Sequence, residues 1–468
     1  MDLRQGCVEP RPARLATLVD LFQSLHAENV PYCHWKSNDH LAASLAGVTD
    51  LDLLVQRHAS LQLARILSEQ GFKRFVGKAR GSPGIEGYVG FDAATGRLLH
   101  LDIHYQLTLG EKFLKGYRLP WEDLMLSTRR LDDEHGIYVA DPHLELLIVV
   151  LRAVMKLRTR DLLLTALGKP YTARSTLQEL PWLASRVQGD RLRHLATELV
   201  GPSAARILAE MLAVPRPTLM QLLAFGRSAR PRLSEYRTYG PVEARLRRWI
   251  GEWRAVWGTL DRWIRRGPGR AKRSAQGGLI VAFGGAAGAG KSSLTRALAA
   301  WLSQDVAVLP SYGARASPLG ALGPVLGALA QARKQRRWVV RARRARNRGL
   351  IVICDRWPQN QFPDLPDGPR LAHWRAHGSP LRRAAADYEL AALQAPELNP
   401  PDLVLRLHVS PAVALQRKPG TPIDQLRHQT EIVSRLQYPA ATCVVDIDAD
   451  QSFEEVLRRA KQAIWDAM

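Results

Sequence analysis

The chain has 468 residues, of which 46% are hydrophobic, and a formal net charge of +22. Since domains usually hold roughly 100–200 residues, the length predicts two or three domains and excludes disorder of the whole chain. No apolar run reaches about 18 residues, and charges interrupt residues 1–20, so neither a membrane span nor a secretory signal is predicted and the expected localisation is cytoplasmic. The four cysteines lack the short paired spacing of a zinc site or a disulfide framework.

The positive charge raises the question of a polyanionic partner. Clustered Lys and Arg side chains neutralise phosphates and release counterions, which makes nucleic acid one candidate. Most of the basic residues are Arg in an Ala-rich sequence, and such residues also occur on solvated helix faces that bind nothing. Charge alone therefore does not favour nucleic acid.

A stretch rich in Gly, Pro and basic residues divides the sequence. Residues 267–277 have no apolar period and predict a linker. Before it, residues 1–140 alternate helical patterns with short strand-like runs, which is typical of an α/β domain with a sheet. From 141 to 266 the strand signals stop and Leu, Ala and Arg recur at helical spacing, which predicts a helical connector domain.

The segment after the linker, 278–468, alternates strand-like apolar runs with helical runs. Such alternation predicts a parallel sheet flanked by helices. The strand-like runs are 278–283, 350–355, 402–409 and 442–448.

A glycine-rich loop follows the first of these runs and precedes a helical run. Its pattern G-x-x-x-x-G-K-S is typical of a phosphate-binding loop, because the strand before it and the helix after it supply the required context. Glycines let successive backbone N–H groups point at phosphate oxygens. Lys291 would hold the β- and γ-phosphates of a nucleotide, and the Ser292 hydroxyl would ligate Mg²⁺. The residues expected to bind the nucleotide are Gly285, Ala286, Ala287, Gly288, Ala289, Gly290, Lys291, Ser292 and Ser293.

Charged residues follow two later strand-like runs. Asp355 and Arg356 come at the C-terminal end of the run 350–355, where open α/β sheets bind ligands. Asp355 is a candidate Mg²⁺ ligand and Arg356 a candidate phosphate contact, with a structural ion pair as the alternative. Arg417 and Lys418 follow a strand and a short helix, where a lid could bring Arg417 onto the transferring phosphoryl group. A solvated charge pair is the alternative.

This order of loop, long helix, strand ending in Asp-Arg-aromatic, and Arg-containing lid resembles thymidylate kinase and its relatives among the nucleoside monophosphate kinases. The resemblance covers 278–468 and implies transfer of the ATP γ-phosphoryl group to a phosphorylated acceptor, with Lys291, Asp355, Arg356 and Arg417 as catalytic residues. Ala287 stands where thymidylate kinases usually carry Asp, and the run 309–315 replaces their Glu-Pro-Gly segment near the acceptor. Both departures concern the acceptor half of the site, so the resemblance does not identify thymidylate as the acceptor.

Three carboxylates in the first domain form a second candidate site. Asp50 and Asp52 alternate with apolar residues on one strand-like run, and Asp102 lies on a later one. Three such carboxylates on one side of a sheet are the ligands that a pair of Mg²⁺ ions bridging a nucleoside triphosphate needs. The alternative is a plain strand with surface acids.

This pattern resembles the nucleotidyltransferase fold, in which a Gly-Ser turn shortly precedes an Asp-x-Asp strand and a third Asp lies on a later strand. Ser37 stands at the position of the serine, but Lys36 replaces the glycine. Either Lys36 contacts phosphate, or the domain has kept ligand binding without transfer.

The end of the connector, 241–266, is strongly amphipathic, with Trp and aliphatic residues on one helical face and Arg around the rest. A peripheral contact with an anionic membrane is one interpretation, and packing of the stripe on neighbouring helices is the favoured one. A second basic run, Arg333 to Arg348, predicts a helix beside the phosphate loop.

Together these patterns predict a multi-domain chain with an N-terminal nucleotidyltransferase-like α/β domain, a helical connector and a C-terminal α/β P-loop kinase domain. The expected function is ATP- and Mg²⁺-dependent phosphotransfer to a nucleoside monophosphate or another phosphorylated small molecule. The alternatives are a nucleotide-binding regulatory or scaffold protein without phosphotransfer and a nucleic-acid-stimulated ATPase. The sequence does not indicate an oligomeric state.

Overall fold

The chain forms two compact units in a computed structural model, and each unit is described by itself. Unit 1 comprises residues 1–73 and 80–261, and unit 2 comprises residues 74–79 and 262–468. The structure describes residues 14–77, 84–111, 114–157, 167, 172–214, 216–265, 272–303, 306–309, 324–363 and 368–468.

Unit 1 contains a mixed sheet in the order β4-β5-β2-β1-β9-β8. Strand β2 pairs in parallel with β5, and β1 pairs in parallel with β9, whereas the other neighbours are antiparallel. β6 and β7 form a separate antiparallel pair. These strands are β1 Tyr32–His34, β2 Leu51–Val55, β4 Ile85–Asp92, β5 Arg97–His104, β6 Leu107–Glu111, β7 Leu114–Leu119, β8 Arg130–Asp132 and β9 Ile137–Val139. Strand β3, Lys73–Val76, comes between β2 and β4 in the sequence, and most of it belongs to unit 2.

The helices of unit 1 pack their apolar positions on this sheet or on one another. Asp141 caps the start of helix α5, where its side chain accepts a hydrogen bond from the N–H of His143, and ten of the fifteen residues of the helix are buried. The helices are α1 Ala16–Ala27, α2 Leu41–Leu45, α3 Ser60–Glu69, α4 Glu122–Ser127, α5 Pro142–Lys156, α6 Leu180–Ala184, α7 Gly189–Val200, α8 Pro202–Leu212, α9 Leu219–Ser234 and α10 Pro241–Arg265.

The segment predicted as a separate connector is helical, but most of it belongs to unit 1. One hydrophobic core contains Trp35 and Leu54 of the sheet region together with Leu147 of α5 and Phe225 of α9. Because α5 is buried along most of its length, the sheet and the helices after it share a single core. The division near residue 140 therefore does not separate two compact bodies in the structure.

Unit 2 contains a parallel sheet of five strands in the order β12-β13-β11-β14-β15, as the alternation in the sequence predicts. All seven residues of β11 and all four of β13 are buried, which explains their continuous apolar sequence. In the same unit, Val76 and Phe75 of β3 pair with β10, which lies within the predicted linker. The strands are β10 Arg273–Ser274, β11 Leu279–Gly285, β12 Val308–Leu309, β13 Ile351–Cys354, β14 Leu403–His408 and β15 Cys443–Asp448.

Helices alternate with the strands of unit 2. Helix α12 packs against the sheet through residues such as Val339 and Ala342. The basic run predicted as a helix falls on α12 and just after it, and most of its Arg side chains are exposed. The helices are α11 Lys291–Ser303, α12 Pro324–Arg346, α13 Trp374–His377, α14 Pro380–Glu397, α15 Pro411–Arg417, α16 Ile423–Arg435 and α17 Phe453–Ala467.

Two features of the helices bear on the sequence-based expectations about membranes. None of the helices in the described parts of the chain combines the length and apolarity that crossing a bilayer requires. The favoured interpretation of the Trp stripe on α10 is wrong, because Trp249, Trp253 and Trp257 are 57%, 47% and 59% exposed instead of packed on other helices. Amphipathic spacing identifies an apolar face but does not show what covers it.

Candidate functional site

The phosphate loop of unit 2 connects β11 to α11. Two of its glycines have backbone angles that other residues rarely adopt, with φ of +83° at Gly288 and +85° at Gly290. A Cβ on Gly288 would also lie 2.6 Å from the carbonyl oxygen of Ala414 on α15. The loop therefore needs glycine at these positions to curl as it does.

Lys291 is the first residue of α11, and its side chain folds back across the loop. The residue is 6% exposed, and Nζ donates hydrogen bonds of 2.7 Å to the carbonyl oxygens of both Gly285 and Ala286. These contacts fix the ammonium group at the mouth of the loop, where the start of α11 adds the positive end of its dipole. The position suits the binding of a phosphate.

Ser292 and Asp355, which lie 63 residues apart in the chain, meet at the loop. The Ser292 hydroxyl donates a hydrogen bond of 2.7 Å to Oδ2 of Asp355. This meeting follows from the sheet, because β13 lies parallel beside β11 and Asp355 comes directly after β13. The other carboxylate oxygen of Asp355, Oδ1, is buried and has no hydrogen-bond partner in the described part of the chain.

This pair of oxygen donors fits Mg²⁺. Proteins usually hold Mg²⁺ through one or two carboxylates together with phosphate oxygens and water, and the unpartnered Oδ1 of Asp355 is such a ligand. The structure thus brings together the two residues that the sequence singled out as candidate ligands in this domain.

Arg417 also lies beside the loop, at the last position of α15. Its Nη1 donates a hydrogen bond of 2.8 Å to the carbonyl oxygen of Ala449. Together with Gly290 and Ser293 it lines a cavity of about 180 Å³. The guanidinium is therefore held close to the phosphate loop by α15, the helix that follows β14.

Arg356 follows Asp355 and is half-buried, whereas Trp357 is part of the protein core. The Trp357 ring packs edge-on against Trp338 at 5.5 Å, and its indole N–H donates to the carbonyl of Pro396 at 3.2 Å. Trp357 therefore stabilises the end of β13 instead of facing a ligand.

Gln429 is a contact of the loop that sequence analysis missed. It lies on α16, is 8% exposed, and its Oε1 accepts a hydrogen bond of 3.0 Å from the backbone N–H of Ala287. Nothing in the local sequence around a helical Gln marks it, since the contact joins segments 142 residues apart. The predicted acceptor run 309–315, including Tyr312 and Arg315, lies outside the described residues after Leu309.

In unit 1, Asp52 and Asp102 lie directly opposite each other on the parallel strands β2 and β5. Asp50 lies just before β2 and is exposed. Two of the three predicted carboxylates therefore share one face of the sheet, as their alternation predicts.

Among the described residues, no group of three or more His, Cys, Asp or Glu side chains is arranged to hold a metal ion, although the sequence predicts a three-carboxylate Mg²⁺ site there. Oδ1 of Asp52 lies 2.7 Å from the Lys36 ammonium and accepts a hydrogen bond of 3.1 Å from Nε2 of His104. Burial alone would raise the pKa of Asp52, but His104 and then Lys36 outweigh it and hold that pKa well below its usual range. The lysine thus supplies the positive charge that a metal ion would have supplied.

Three further cations, Lys115, Arg152 and Lys156, lie near Lys36 of this ion pair. Burial lowers the pKa of Lys156 to about 8, with further lowering by Arg152, Lys115 and Lys36. The pKa of Lys115 is lowered by burial and then by Lys36 and Arg152. Lys36 is paired with Asp52, Arg152 lies 3.6 Å from Glu179, and Lys156 donates a hydrogen bond of 2.8 Å to the Thr176 hydroxyl.

The turn after β1 is fixed to α5 by a buried carboxylate. Ser37 adopts a left-handed conformation with φ of +60°, and the next residue, Asn38, donates its backbone N–H and its amide N–H to Glu145 at 3.1 and 2.8 Å. Burial raises the pKa of Glu145 to about 8, although these hydrogen bonds oppose the change. The turn thereby brings Lys36 to Asp52.

Comparison with known proteins gives limited matches. No protein-family model matches the chain. The uncharacterized ATP-binding protein YghR of Escherichia coli K12 is 29% identical over 117 residues, which cover 25% of this chain and 46% of YghR. YghR of E. coli O6:H1 strain CFT073 matches to the same extent, so the match spans less than half the length of these relatives.

Among solved structures, deoxyadenosine kinase from M. mycoides with bound dATP matches at 15% identity and a TM-score of 0.28, covering 39% of this chain and 97% of the kinase. The same kinase with products bound matches at 14% identity and a TM-score of 0.27, with the same coverage. Likenesses at this level do not identify a function for the chain.

Proposed function

We propose that unit 2 is an ATP- and Mg²⁺-dependent phosphotransferase. The observation that carries this proposal is the hydrogen bond between Ser292 and Asp355 at the mouth of a glycine-dependent phosphate loop. The hydroxyl of Ser292 and the carboxylate of Asp355 are groups that would hold Mg²⁺ together with a bound nucleotide. YghR, which matches part of this chain, is described as an ATP-binding protein, and this supports ATP as the nucleotide.

In the proposed reaction, an oxygen of the acceptor attacks the γ-phosphorus of ATP while the bond from that phosphorus to the β–γ bridging oxygen breaks, and ADP leaves. Backbone N–H groups of the loop and the Lys291 ammonium bind the β- and γ-phosphates. Ser292 and Asp355 are the residues that would hold Mg²⁺, which would neutralise charge on those phosphates. Arg417, beside the loop, stabilises charge that spreads over the transferring group.

We propose a nucleoside monophosphate or another phosphorylated small molecule as the acceptor. A phosphate monoester is largely ionised at neutral pH, so its oxygen can attack without a general base. An acceptor that needs no general base fits this site, because Asp355 accepts a hydrogen bond from Ser292 and is proposed as a metal ligand, not as a base. The likeness of 278–468 to nucleoside monophosphate kinases in motif order also supports this acceptor class.

The test is turnover of ATP against a panel of nucleoside monophosphates and phosphosugars, with product detected by mass. Lys291→Ala is expected to abolish product formation, whereas Arg296→Ala, which removes an exposed charge from the same helix, is expected to preserve it. ATP binding without product on any acceptor would favour the regulatory or scaffold alternative. Hydrolysis stimulated by DNA or RNA would favour the nucleic-acid-dependent ATPase, and no ATP binding would overturn all three.

We further propose that unit 1, a nucleotidyltransferase-like domain, binds a phosphate-bearing ligand without catalysing metal-dependent transfer. Burial, and then repulsion by neighbouring cations, lowers the pKa values of Lys115 and Lys156, and a bound phosphate would relieve that repulsion. The ion pair between Lys36 and Asp52 supports the loss of transfer, because it ties up a carboxylate that the metals would need.

Calorimetric titration with inorganic pyrophosphate, in the Lys291→Ala background, tests this second proposal. Lys156→Met is expected to weaken binding about tenfold, the loss typical of one charged hydrogen bond, and Arg57→Met outside the cluster is expected to leave it unchanged. Because protonated Lys156 favours the anion, binding should weaken as pH rises through about 8. Equal affinities for the two variants would contradict a phosphate site here.

A further inference from the structure

We propose that α10 binds anionic membrane surfaces by placing its exposed Trp stripe in the headgroup region. The stripe consists of Val242, Leu246, Trp249, Trp253 and Trp257, all on one helical face. This interaction is separate from the phosphotransfer proposed for unit 2.

The stripe is both large and uncovered. Val242 is 80% exposed and Leu246 is 54% exposed, and the three tryptophans are about half exposed. With a rise of 1.5 Å per residue, the stripe extends over about 22 Å of helix. The rings of Trp249 and Trp253 lie edge-to-face at 5.6 Å, so the aromatic surface is continuous between them.

No other helix or strand in the described parts of the chain packs extensively along α10. Every exposed tryptophan among the described residues lies on this helix, whereas the other large exposed apolar residues are mostly aliphatic. Apolar surface of this size on one element marks an interaction site, while single exposed apolar side chains need no explanation.

The charge beside the stripe selects the partner. Arg245, Arg247 and Arg248 lie around the flanks and rear of the stripe, and Glu243, the acidic residue in the first turn, is paired with Arg247 at 2.7 Å. Over 241–273 the sequence has ten Lys and Arg against three Asp and Glu. Such a helix, with a charged basic face and a Trp-containing apolar face, suits the interface of an anionic bilayer.

Tryptophan is also the residue that this environment prefers, because its ring is apolar while its indole N–H needs a polar partner. A second copy of the chain fits the same face less well. Pairing two copies of α10 through the stripe would bring their arginine-rich flanks together, and like charges would repel.

Co-sedimentation of the full chain with lipid vesicles tests the proposal. The wild type is expected to bind vesicles of phosphatidylcholine with 40% phosphatidylglycerol at low salt, and to bind pure phosphatidylcholine at least tenfold more weakly. The variant Trp249→Ser/Trp253→Ser/Trp257→Ser is expected to lose at least tenfold in binding to the anionic vesicles. Leu61→Ser, which removes an apolar side chain that is 84% exposed elsewhere in unit 1, is expected to bind as the wild type does.

Circular dichroism of the triple variant would establish that its fold is retained, as expected for exposed positions. Equal binding by the triple variant and the wild type would overturn the proposal, as would no wild-type binding to anionic vesicles. A wild-type dimer that the triple variant does not form, together with no vesicle binding, would assign the stripe to a second copy instead. A separate ATP-binding measurement keeps failure here distinct from failure of the phosphotransfer proposal.

Discussion

Each unit of the protein has a lysine and an aspartate beside its sheet, but the two pairs make different contacts. In unit 2 the Lys291 ammonium is held by backbone carbonyls, and Asp355 bonds only a hydroxyl through one of its oxygens. In unit 1 the Lys36 ammonium bonds Asp52 directly. The carboxylate of Asp355 thus keeps one oxygen without a hydrogen-bond partner among the described residues, whereas the carboxylate of Asp52 is paired with a lysine.

The difference lies in what holds the lysine. A glycine-dependent loop exposes carbonyl oxygens that accept hydrogen bonds from the ammonium group of Lys291. The ammonium group is therefore held by the backbone and not by the carboxylate of Asp355. The turn after β1 has no such loop, and its anchoring on Glu145 points Lys36 at β2. Backbone geometry around the lysine, and not residue type alone, therefore decides whether its ammonium group pairs with the aspartate.

The largest effect is expected from breaking the unit 2 pair. Asp355→Ala removes the proposed metal ligand and should reduce phosphoryl transfer about 10²–10³-fold, the loss typical of one transition-state stabilising group. Steady-state turnover at saturating Mg²⁺ measures it. Ser303→Ala, at the far end of α11 from the loop, should retain wild-type turnover, and a fully active Asp355→Ala protein would contradict the assigned role.

Breaking the unit 1 pair should instead reduce stability. Lys36→Met leaves Asp52 without its cation in a partly buried site, which should cost about 3 kcal/mol of local unfolding free energy. Hydrogen exchange of peptides from β2 and β5 measures this cost. The double variant Lys36→Met/Asp52→Asn should regain most of the loss, and no regain would show that the two side chains are not coupled.

Glu145 makes the anchoring of the unit 1 turn depend on pH. Its pKa is about 8 in the folded chain and close to 4.5 when unfolded, so the stability that it contributes is present at low pH and is lost as pH rises towards 8. Glu145→Gln removes this loss. Its stability relative to the wild type should therefore rise by about 2 kcal/mol from pH 5 to pH 7.

Denaturant unfolding at the two pH values measures this difference. Burial lowers the pKa values of His34 and His104, but both titrate in wild type and variant alike and cancel in the comparison. A pH-independent difference would mean that Glu145 is already ionised in the folded protein at pH 5.

The smallest effect is expected at Gln429. Gln429→Ala removes one hydrogen bond to the loop N–H of Ala287, so nucleotide affinity should fall by about 1 kcal/mol, roughly fivefold. Calorimetric titration with an ATP analogue measures it. Gln437→Ala, whose backbone and not its side chain makes the contacts seen at that position, is the matched control. If Gln429→Ala lost no more nucleotide affinity than Gln437→Ala, Gln429 would have no role in nucleotide binding.

The phosphate loop could be predicted because its chemistry is local. Glycines, Lys291 and Ser292 occur within a few residues, and their strand and helix context is visible in the apolar pattern. The parallel sheet could be predicted in the same way from continuous apolar runs. Because β11 and β13 are neighbours in that sheet, Asp355 lies close to Ser292.

The parts that escaped prediction depend on distant contacts. Gln429 reaches the loop from α16, and Lys36 neutralises Asp52 only because the turn after β1 is anchored on α5. The shared core of unit 1 and the exposure of Trp253 likewise depend on which surfaces meet, and periodicity does not carry that information.

The most direct test of the contrast between the units is the Mg²⁺ dependence of affinity for a non-hydrolysable ATP analogue. It would be measured by calorimetry on the wild type, Asp355→Asn and Asp52→Asn. Mg²⁺ is predicted to strengthen binding by the wild type and Asp52→Asn but to have little effect on Asp355→Asn. An undiminished Mg²⁺ effect in Asp355→Asn, or its loss in Asp52→Asn, would contradict the account.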